Sequence, residues 1–284
     1  NRVIKLCEYI VQAGLNKKCS FGVQTRADNL YEDLLPAMKK ANFQWVTFGM
    51  ETGVERIAQE MVKDETVSIH LEKIKLCEKY GINVRLAMIY GFPTESREDR
   101  DESYRVVRAA GGKWVKFNNL TPYPGTVVYE QAKKSGHLHI LPGWSNLNSV
   151  LGVTRGIFSN PPLPYVPEGV TEFELRKDIF RRNLQFYLRS KVVWKVFQGG
   201  RGGGGWLVLP RSWYFKPKEI VCVIRLGFLL GSNLVFSMLP DRLGNMIFSF
   251  VQREKSIIPP VDIKANARTF NRSILPQSSA PTAG

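Results

Sequence analysis

The sequence contains few cysteines and no closely spaced pair of them. The four cysteines are Cys7, Cys19, Cys77 and Cys222, and none belongs to a C-x2-C pair. No secretory signal peptide is recognisable ahead of them. A secreted, disulfide-stapled domain needs the opposite pattern. We therefore expect a reducing, cytoplasmic setting.

Acidic residues are also scarce, and the deficit lies in one half of the chain. The 284 residues carry 40 Lys and Arg against 25 Asp and Glu, a net charge of +15. Up to residue 145 the counts are 21 against 17, and beyond it 19 against 8. The basicity therefore belongs to the C-terminal half. The chain opens without Met and inside a helical pattern, so we expect it to lack its original N-terminal segment.

Two local motifs lack the partners that their chemistry requires. The glycine-rich run at residues 199–205 has no following Lys-Ser/Thr, so it indicates a flexible linker rather than a phosphate-binding loop. His137 and His139 have no Cys or carboxylate at ligand spacing, which favours a surface turn over a metal site.

Between residues 20 and 135 the sequence alternates β-like and helical runs. This alternation is typical of parallel strands joined by crossover helices. Strands are predicted at 19–26, 45–51, 83–90 and 114–120. Helices are predicted up to Ala41, over 67–74, from Ser96 to Ala110 and up to Ser135.

Alternation along each strand divides its residues into two faces. One face is apolar and is expected to pack under the helices. The other is small or polar, and comprises Gly22, Gln24, Arg26, Thr47, Gly49, Glu51, Arg85, Ala87, Lys116 and Asn118. A packed barrel interior prefers branched aliphatic residues instead. The sequence therefore predicts a hollow, polar interior.

Glu51 is the carboxylate at the C-terminal end of the second strand, where barrel enzymes carry their sites. It can accept hydrogen bonds from sugar hydroxyls or an ammonium group. The cations Arg26, Arg85 and Lys116 can receive a carboxylate or phosphate. The alternative is that Glu51 pairs with one of these cations for a purely structural purpose.

Four segments in fixed order resemble the second half of the radical S-adenosylmethionine (radical SAM) core, especially its cobalamin-dependent branch. They are "TRAD", "FGMETG", "MIYGFPTESRED" and "LTPYPGT", and the resemblance covers residues 1–135. It implies an α/β fold: an incomplete (β/α)6 partial barrel of TIM type that binds S-adenosylmethionine (SAM) and a [4Fe–4S] cluster. It also implies reductive cleavage of SAM to a 5′-deoxyadenosyl radical, an electron donor such as a flavodoxin or ferredoxin, and cobalamin in the branch named.

The same resemblance implies which residues bind SAM. Glu51 matches the acid that contacts the ribose or amino group, and Gln24 and Arg26 match the strand end near the methionyl part. Gly91 and Pro93 match the turn after the fifth barrel strand. The loop after the sixth strand, whose backbone lies against the adenine, is matched by Pro122, Tyr123, Pro124 and Gly125.

The sequence departs from the family at the cluster. The C-x3-C-x2-C loop follows the first barrel strand, and no such spacing occurs in this chain. We therefore expect that this chain contains no metal ligands and that it carries out no radical chemistry alone. The first two barrel strands and any cobalamin domain are expected to lie outside it.

The C-terminal half is predicted to be mostly helical. Residues 170–190 indicate a basic amphipathic helix that packs across the open side of the barrel. Residues 220–239 are long enough to cross a bilayer, but Arg225 and the Ser232–Asn233 pair oppose it. Three interpretations stay open: contact with a membrane or an apolar substrate, a core helix, and a span.

These observations predict five segments: a barrel portion at 1–140, a helical extension at 141–198, a linker at 199–205, a hydrophobic basic region at 206–258, and a tail at 259–284. The expected activity of the intact protein is methylation or related C–H functionalisation of an apolar substrate such as a lipid, isoprenoid or tetrapyrrole. The alternatives are a methylthiotransferase-like enzyme acting on RNA or protein, and a non-catalytic binding module. An enzyme that acts on an apolar substrate is expected in the cytoplasm, where it could lie at the inner face of the membrane. Nucleic acid is not expected as a partner.

Overall fold

The computed structural model describes residues 2–61, 64–111, 114–147, 157–158, 161–188 and 217–251. The linker predicted at 199–205 and the tail predicted at 259–284 lie outside these residues, so both stay predictions.

The described chain alternates strands and helices as far as residue 134 and is helical beyond it. The strands are β1 Phe21–Thr25, β2 Phe43–Glu51, β3 Asn83–Tyr90 and β4 Trp114–Asn119. The helices are α1 Arg2–Gln12, α2 Leu15–Lys18, α3 Leu34–Lys40, α4 Glu55–Glu60, α5 Val67–Lys79, α6 Arg97–Ala109, α7 Val127–Lys134, a 3-10 turn Pro142–Trp144, α8 Glu172–Tyr187, α9 Pro217–Met238 and α10 Asp241–Val251. Helices α2 and α4 are the elements before residue 135 in this description that the sequence pattern did not predict.

The four strands form one parallel sheet in the order β1-β2-β3-β4. Parallel neighbours require crossovers, and the helices between successive strands supply them. This α/β arrangement confirms the fold class predicted for the barrel portion.

Helix starts follow the sequence closely because the capping residues are present. Ser96 and Asp99 form a capping box at the start of α6, with reciprocal side-chain to backbone hydrogen bonds. Thr171 and Glu174 form a second capping box at α8. Such pairs satisfy amide groups that the first helical turn leaves without partners.

The two faces of the sheet differ as the alternation predicted. Val46, Phe48, Leu86, Met88 and Phe117 are almost wholly buried in the main core. Residues between them on the same strands, such as Thr47, Arg85 and Lys116, are only half-buried. One face is therefore packed by the crossover helices, and the other is open and polar.

Helix α8 lies along the outer edge of β4. The side chain of Asn183 accepts a hydrogen bond from the Phe117 N–H at 3.2 Å and donates to the Phe117 carbonyl at 2.9 Å. Tyr187 donates to the Val115 carbonyl at 2.7 Å. These side chains satisfy backbone groups that an uncovered edge strand would leave open. Leu175, Ile179 and Phe186 of α8 complete the main core.

Within the described ranges, no helix is both long and apolar enough to cross a membrane. The bilayer-span interpretation of residues 220–239 therefore finds no support there.

Candidate functional site

The candidate site lies at the C-terminal edge of the sheet, where the chain leaves each strand. Register places Gly49 beside Ala87 and Ile89 beside Asn118, so the three strands end side by side. The Leu120 N–H donates to the Tyr90 carbonyl at 2.8 Å, which extends the pairing of β3 and β4 into their loops. The loops that follow β2, β3 and β4 therefore share one edge.

Glu51 has an unusual backbone at this edge. Its φ is 66°, in the left-handed region, where a residue with a Cβ costs ~1 kcal/mol or more. The register slips between Gly49 and Glu51, so that Glu51 pairs with Met88. The alternation did not predict this bulge, but burial still alternates through it, because Met50 is buried and Glu51, like Thr47 and Gly49, is only partly buried. Bulges of this kind reorient a side chain, and they are frequent beside active sites. The Glu51 side chain is half-buried.

The residues after Glu51 hold this conformation in place. The Gly53 N–H donates to the Ser103 hydroxyl of α6 at 2.9 Å, and the Thr52 hydroxyl lies 3.2 Å from the same oxygen. A Cβ on Gly53 would lie 2.8 Å from the Ser103 Cα, so this position accepts only glycine without a shift of α6. Sequence reasoning found the Thr-Gly break but missed Ser103, since nothing local marks a serine 50 residues away as its partner.

The loop after β3 is closed by a buried carboxylate that the sequence analysis also missed. Glu95 accepts a hydrogen bond from the Gly91 N–H at 2.6 Å and is 4% exposed. Burial raises the pKa of Glu95 to about 7, against the opposing effects of the Gly91 N–H and of Arg100. Gly91 has a φ of 93°, and a Cβ there would lie 2.9 Å from the Leu175 side chain of α8. The loop is thus fixed from both sides, and Pro93 beyond it is half-exposed.

The loop after β4 combines buried and exposed residues. Pro122 is buried, whereas Tyr123, Pro124 and Gly125 are exposed, with Tyr123 51% exposed. Gly125 has a φ of 85° and open space around its Cα, and Thr126 then caps α7. The exposed part is available for contact with a ligand.

Gln24 and Arg26 lie at the end of β1 and are exposed. The Arg26 guanidinium donates twice to Asp28, at 3.0 and 2.7 Å, and this ion pair raises the Arg26 pKa. The loop that carries them is held by Glu65, which accepts from the Ala27 N–H at 2.6 Å. Arg26 thus already has a carboxylate partner, which reduces its capacity to receive a second one.

Asn118 offers an acceptor that the described part of the protein leaves unused. Asn118 is 9% exposed, and its Nδ2 lies 3.4 Å from the Met88 carbonyl. Its Oδ1 has no hydrogen-bond partner among the described residues. Alternation places Asn118 on the same face as Lys116, at the C-terminal end of β4. A buried acceptor without a partner costs ~1–3 kcal/mol, and a ligand N–H or O–H offsets it. Asn118 can therefore accept a hydrogen bond from a polar ligand at this edge.

The lower part of the open face is aromatic and cationic. The Arg85 guanidinium lies 4.3 Å from the Trp45 ring centre, and that ring covers Gly22, where a Cβ would be 1.9 Å from the indole nitrogen. Burial lowers the pKa of Arg85 and of Lys116. Both cations were predicted to lie on this face, but Trp45 was not. Because the Trp45 ring occupies the space beside Gly22, this part of the face is less hollow than predicted.

The residues that the structure describes do not fit a [4Fe–4S] cluster. Cys7 and Cys77 are buried on helices and Cys19 is exposed. No group of three or more metal-ligating side chains occurs within the parts of the chain that the structure covers. We therefore assign no metal ligand and no reaction step through a cluster to these residues.

Comparison with known proteins relates the N-terminal part of the chain to one superfamily. Residues 2–107 match the model of the Radical SAM superfamily. An uncharacterized methyltransferase of Pyrococcus horikoshii is 26% identical over 194 residues, which are 68% of this chain and 39% of that protein. The anaerobic magnesium-protoporphyrin IX monomethyl ester cyclase of Cereibacter sphaeroides is 22% identical over 200 residues, 70% of this chain and 30% of that protein.

Among solved structures, the radical S-adenosylmethionine methyltransferase TsrM from Kitasatospora setae aligns with a TM-score of 0.42 and 16% identity, covering 61% of this chain and 34% of TsrM. The chain spans less than half the length of the two curated relatives described. The matched residues contain all of β1, β2 and β3 with their loops. Residues 2–107 of this chain are thus similar to the Radical SAM superfamily.

Proposed function

We propose that this chain supplies the SAM-binding strand ends of a radical SAM enzyme that uses cobalamin to methylate, or otherwise functionalise, a C–H bond of an apolar substrate. The observation that carries the SAM-binding role is the left-handed, half-buried Glu51 on a bulge at the C-terminal edge of the sheet. Conformational strain of this type is kept where the surrounding structure fixes it, and it concentrates at functional sites.

The proposal gives each loop a separate task in binding. The Glu51 carboxylate accepts hydrogen bonds from ribose hydroxyls or the ammonium group, and Asn118 Oδ1 accepts one more. The loop of Gly91 and Pro93 and the exposed part of the Pro122–Gly125 loop present backbone and apolar surface to the adenine. Arg26 binds the methionyl carboxylate only if it exchanges its partner Asp28.

The substrate class rests on two kinds of support. The relatives include a protein described as a methyltransferase and a cyclase acting on a tetrapyrrole ester. The C-terminal half is basic and exposes apolar side chains on its last two helices. Both favour an apolar or amphiphilic substrate over a small polar one.

The experiment uses the full-length reading frame that contains this chain, purified without oxygen and loaded with iron and sulfide. SAM consumption and its products are followed by chromatography, with and without cobalamin, on a prenyl lipid, a tetrapyrrole ester and bulk tRNA. Cobalamin-dependent methylation of one of the apolar compounds supports the proposal. Sulfur transfer to tRNA would instead support the methylthiotransferase alternative, and cluster-loaded protein without SAM turnover would support a non-catalytic module.

A further inference from the structure

The last two described helices carry apolar side chains on the side that faces away from the protein. In α9 these are Ile224, Phe228, Val235 and Met238, which are 60–80% exposed and follow a spacing of three, four or seven residues. In α10 Leu243, Met246 and Phe250 are 41, 62 and 73% exposed and repeat in the same way. We call these seven side chains the outer apolar surface. Such spacing aligns residues along one side of a helix.

The opposite sides of the same helices are already packed. Leu230 and Phe236 of α9 and Phe248 of α10 belong to a cluster with Phe173 and Phe180 of α8. A Cβ on Gly244 would lie 2.1 Å from the Phe173 ring, so α10 approaches α8 as closely as its backbone allows. The hairpin therefore has one buried side and one apolar exposed side, which is the pattern of an interaction surface rather than of an incomplete core.

Polar contacts hold the hairpin in this orientation. Asn233 is fully buried, and its Oδ1 accepts from the Ile157 N–H at 2.7 Å. Lys177 of α8 donates to the Leu239 carbonyl and to Asp241, both at 2.8 Å, at the turn between the helices. Rotation of either helix to bury its outer side would break these contacts.

The charges around the surface are mostly positive. Arg225 and Arg242 are exposed beside the apolar side chains, whereas the two helices contain two acidic residues, Glu219 and Asp241, of which Asp241 already pairs with Lys177. The preceding stretch 189–218 contains seven Lys and Arg and no Asp or Glu. Exposed aromatic and aliphatic side chains bordered by cations match the interface of an anionic bilayer, where apolar groups enter the headgroup region and cations remain at the phosphates.

We infer that the outer apolar surface of α9 and α10 docks onto an anionic lipid bilayer. Helix α8 is also basic but is not part of the proposed lipid contact, because it is mostly buried and supports α9 and α10. The inference is independent of the SAM site, since it concerns helices beyond the matched residues 2–107.

The test is flotation of the 284-residue chain with vesicles of phosphatidylcholine containing phosphatidylglycerol, beside vesicles of phosphatidylcholine alone. We expect binding to the anionic vesicles at low salt and weakening as salt rises. The variant Phe228→Ser/Met246→Ser removes two exposed side chains, and its affinity for these vesicles should fall about tenfold or more. The matched control Leu6→Ser/Val127→Ser changes side chains that are 53 and 73% exposed on α1 and α7, and it should bind like the original chain.

Two results would overturn the inference. One is failure of the original chain to float with anionic vesicles, and the other is equal flotation of the original chain and the Phe228→Ser/Met246→Ser variant. Sedimentation velocity without lipid identifies a different occupant: a dimer that this variant converts to a monomer, with no flotation, would assign the surface to a second copy of the chain. Thermal unfolding of each variant confirms that folding is unchanged.

Discussion

Glu95 provides a pH-dependent test of how the loop after β3 is held. Its carboxyl group is buried, and burial raises its pKa from 4.5 to about 7. Below pH 4.5 the group is protonated in both the folded and the unfolded chain, so it has no effect on stability. Between 4.5 and 7 the unfolded chain ionises first, which favours unfolding. Above 7 both states are ionised and the cost is constant.

The size of the effect follows from the difference between the two pKa values. At ~1.4 kcal/mol per pKa unit, a shift from 4.5 to about 7 corresponds to a loss of about 3 kcal/mol of folding stability between pH 4.5 and 7.5. Glu95→Gln keeps an oxygen to accept the Gly91 N–H and cannot ionise. The amide changes the free energy of unfolding by the same amount at every pH. The ionisation of Glu95 is therefore seen only in how the difference between the free energies of unfolding of the two proteins varies with pH.

The assay is urea unfolding of the original chain and Glu95→Gln at pH 5, 6, 7 and 8. The free energy of unfolding of the variant should increase relative to the original by about 2–3 kcal/mol between pH 5 and 7, and then remain level. The two proteins differ at position 95 alone, so the difference between their free energies of unfolding reports the change at that position. A difference that is constant from pH 5 to 8 would refute the argument that Glu95 is held protonated by burial.

Four other predictions concern the same edge and its supports. Gly53→Ala should lose ~1–3 kcal/mol of stability in urea unfolding, because its Cβ would lie 2.8 Å from Ser103, whereas Gly231→Ala, in open space on α9, should be neutral or stabilising. Asn183→Leu should lose ~2–4 kcal/mol in the same assay, since Phe117 loses both backbone partners; a loss under 1 kcal/mol would contradict the edge-covering role. Glu51→Gly should be about 1 kcal/mol more stable than Glu51→Ala, as glycine adopts the φ of 66° without strain; equal stability would argue against a strained backbone. The 284-residue chain, reconstituted with iron and sulfide, should form no stable [4Fe–4S] cluster, because its sequence has no C-x3-C-x2-C loop; an absorbance band that depends on Cys7 or Cys19 would contradict this.

The sequence predicted the regular elements well because their signals are local. The strand at 83–90 and the start of α6 at Ser96 are reproduced to the residue, since strand alternation and a capping box are encoded within a few positions. The bulge at Glu51 was not predictable in this way. The alternation rule gives no warning when a strand gains a residue, and Ser103, which holds the Gly53 N–H just beyond the bulge, lies on another element.

The supporting residues of the site were missed for a related reason. Glu95 looks like an ordinary polar residue near a helix start, and only the fold shows that it is buried beneath the Gly91 turn. The signal in the sequence that could have indicated it is a glycine directly after a strand, Gly91, followed four residues later by a carboxylate. Trp45 was likewise not assigned to the open face, although it lies there against Arg85.

The central claim is that Glu51 binds SAM, and calorimetry on the full-length, cluster-loaded protein tests it most directly. We expect Glu51→Ala to bind SAM ~10- to 100-fold more weakly, since a charge-assisted hydrogen bond contributes ~1.5–3 kcal/mol. Glu51→Gln should be intermediate, and Glu130→Ala, an exposed glutamate on α7, should bind normally. Cluster content and melting temperature should change little. Unchanged affinity for SAM together with a large fall in melting temperature of Glu51→Ala would contradict the claim and assign Glu51 a structural ion pair instead.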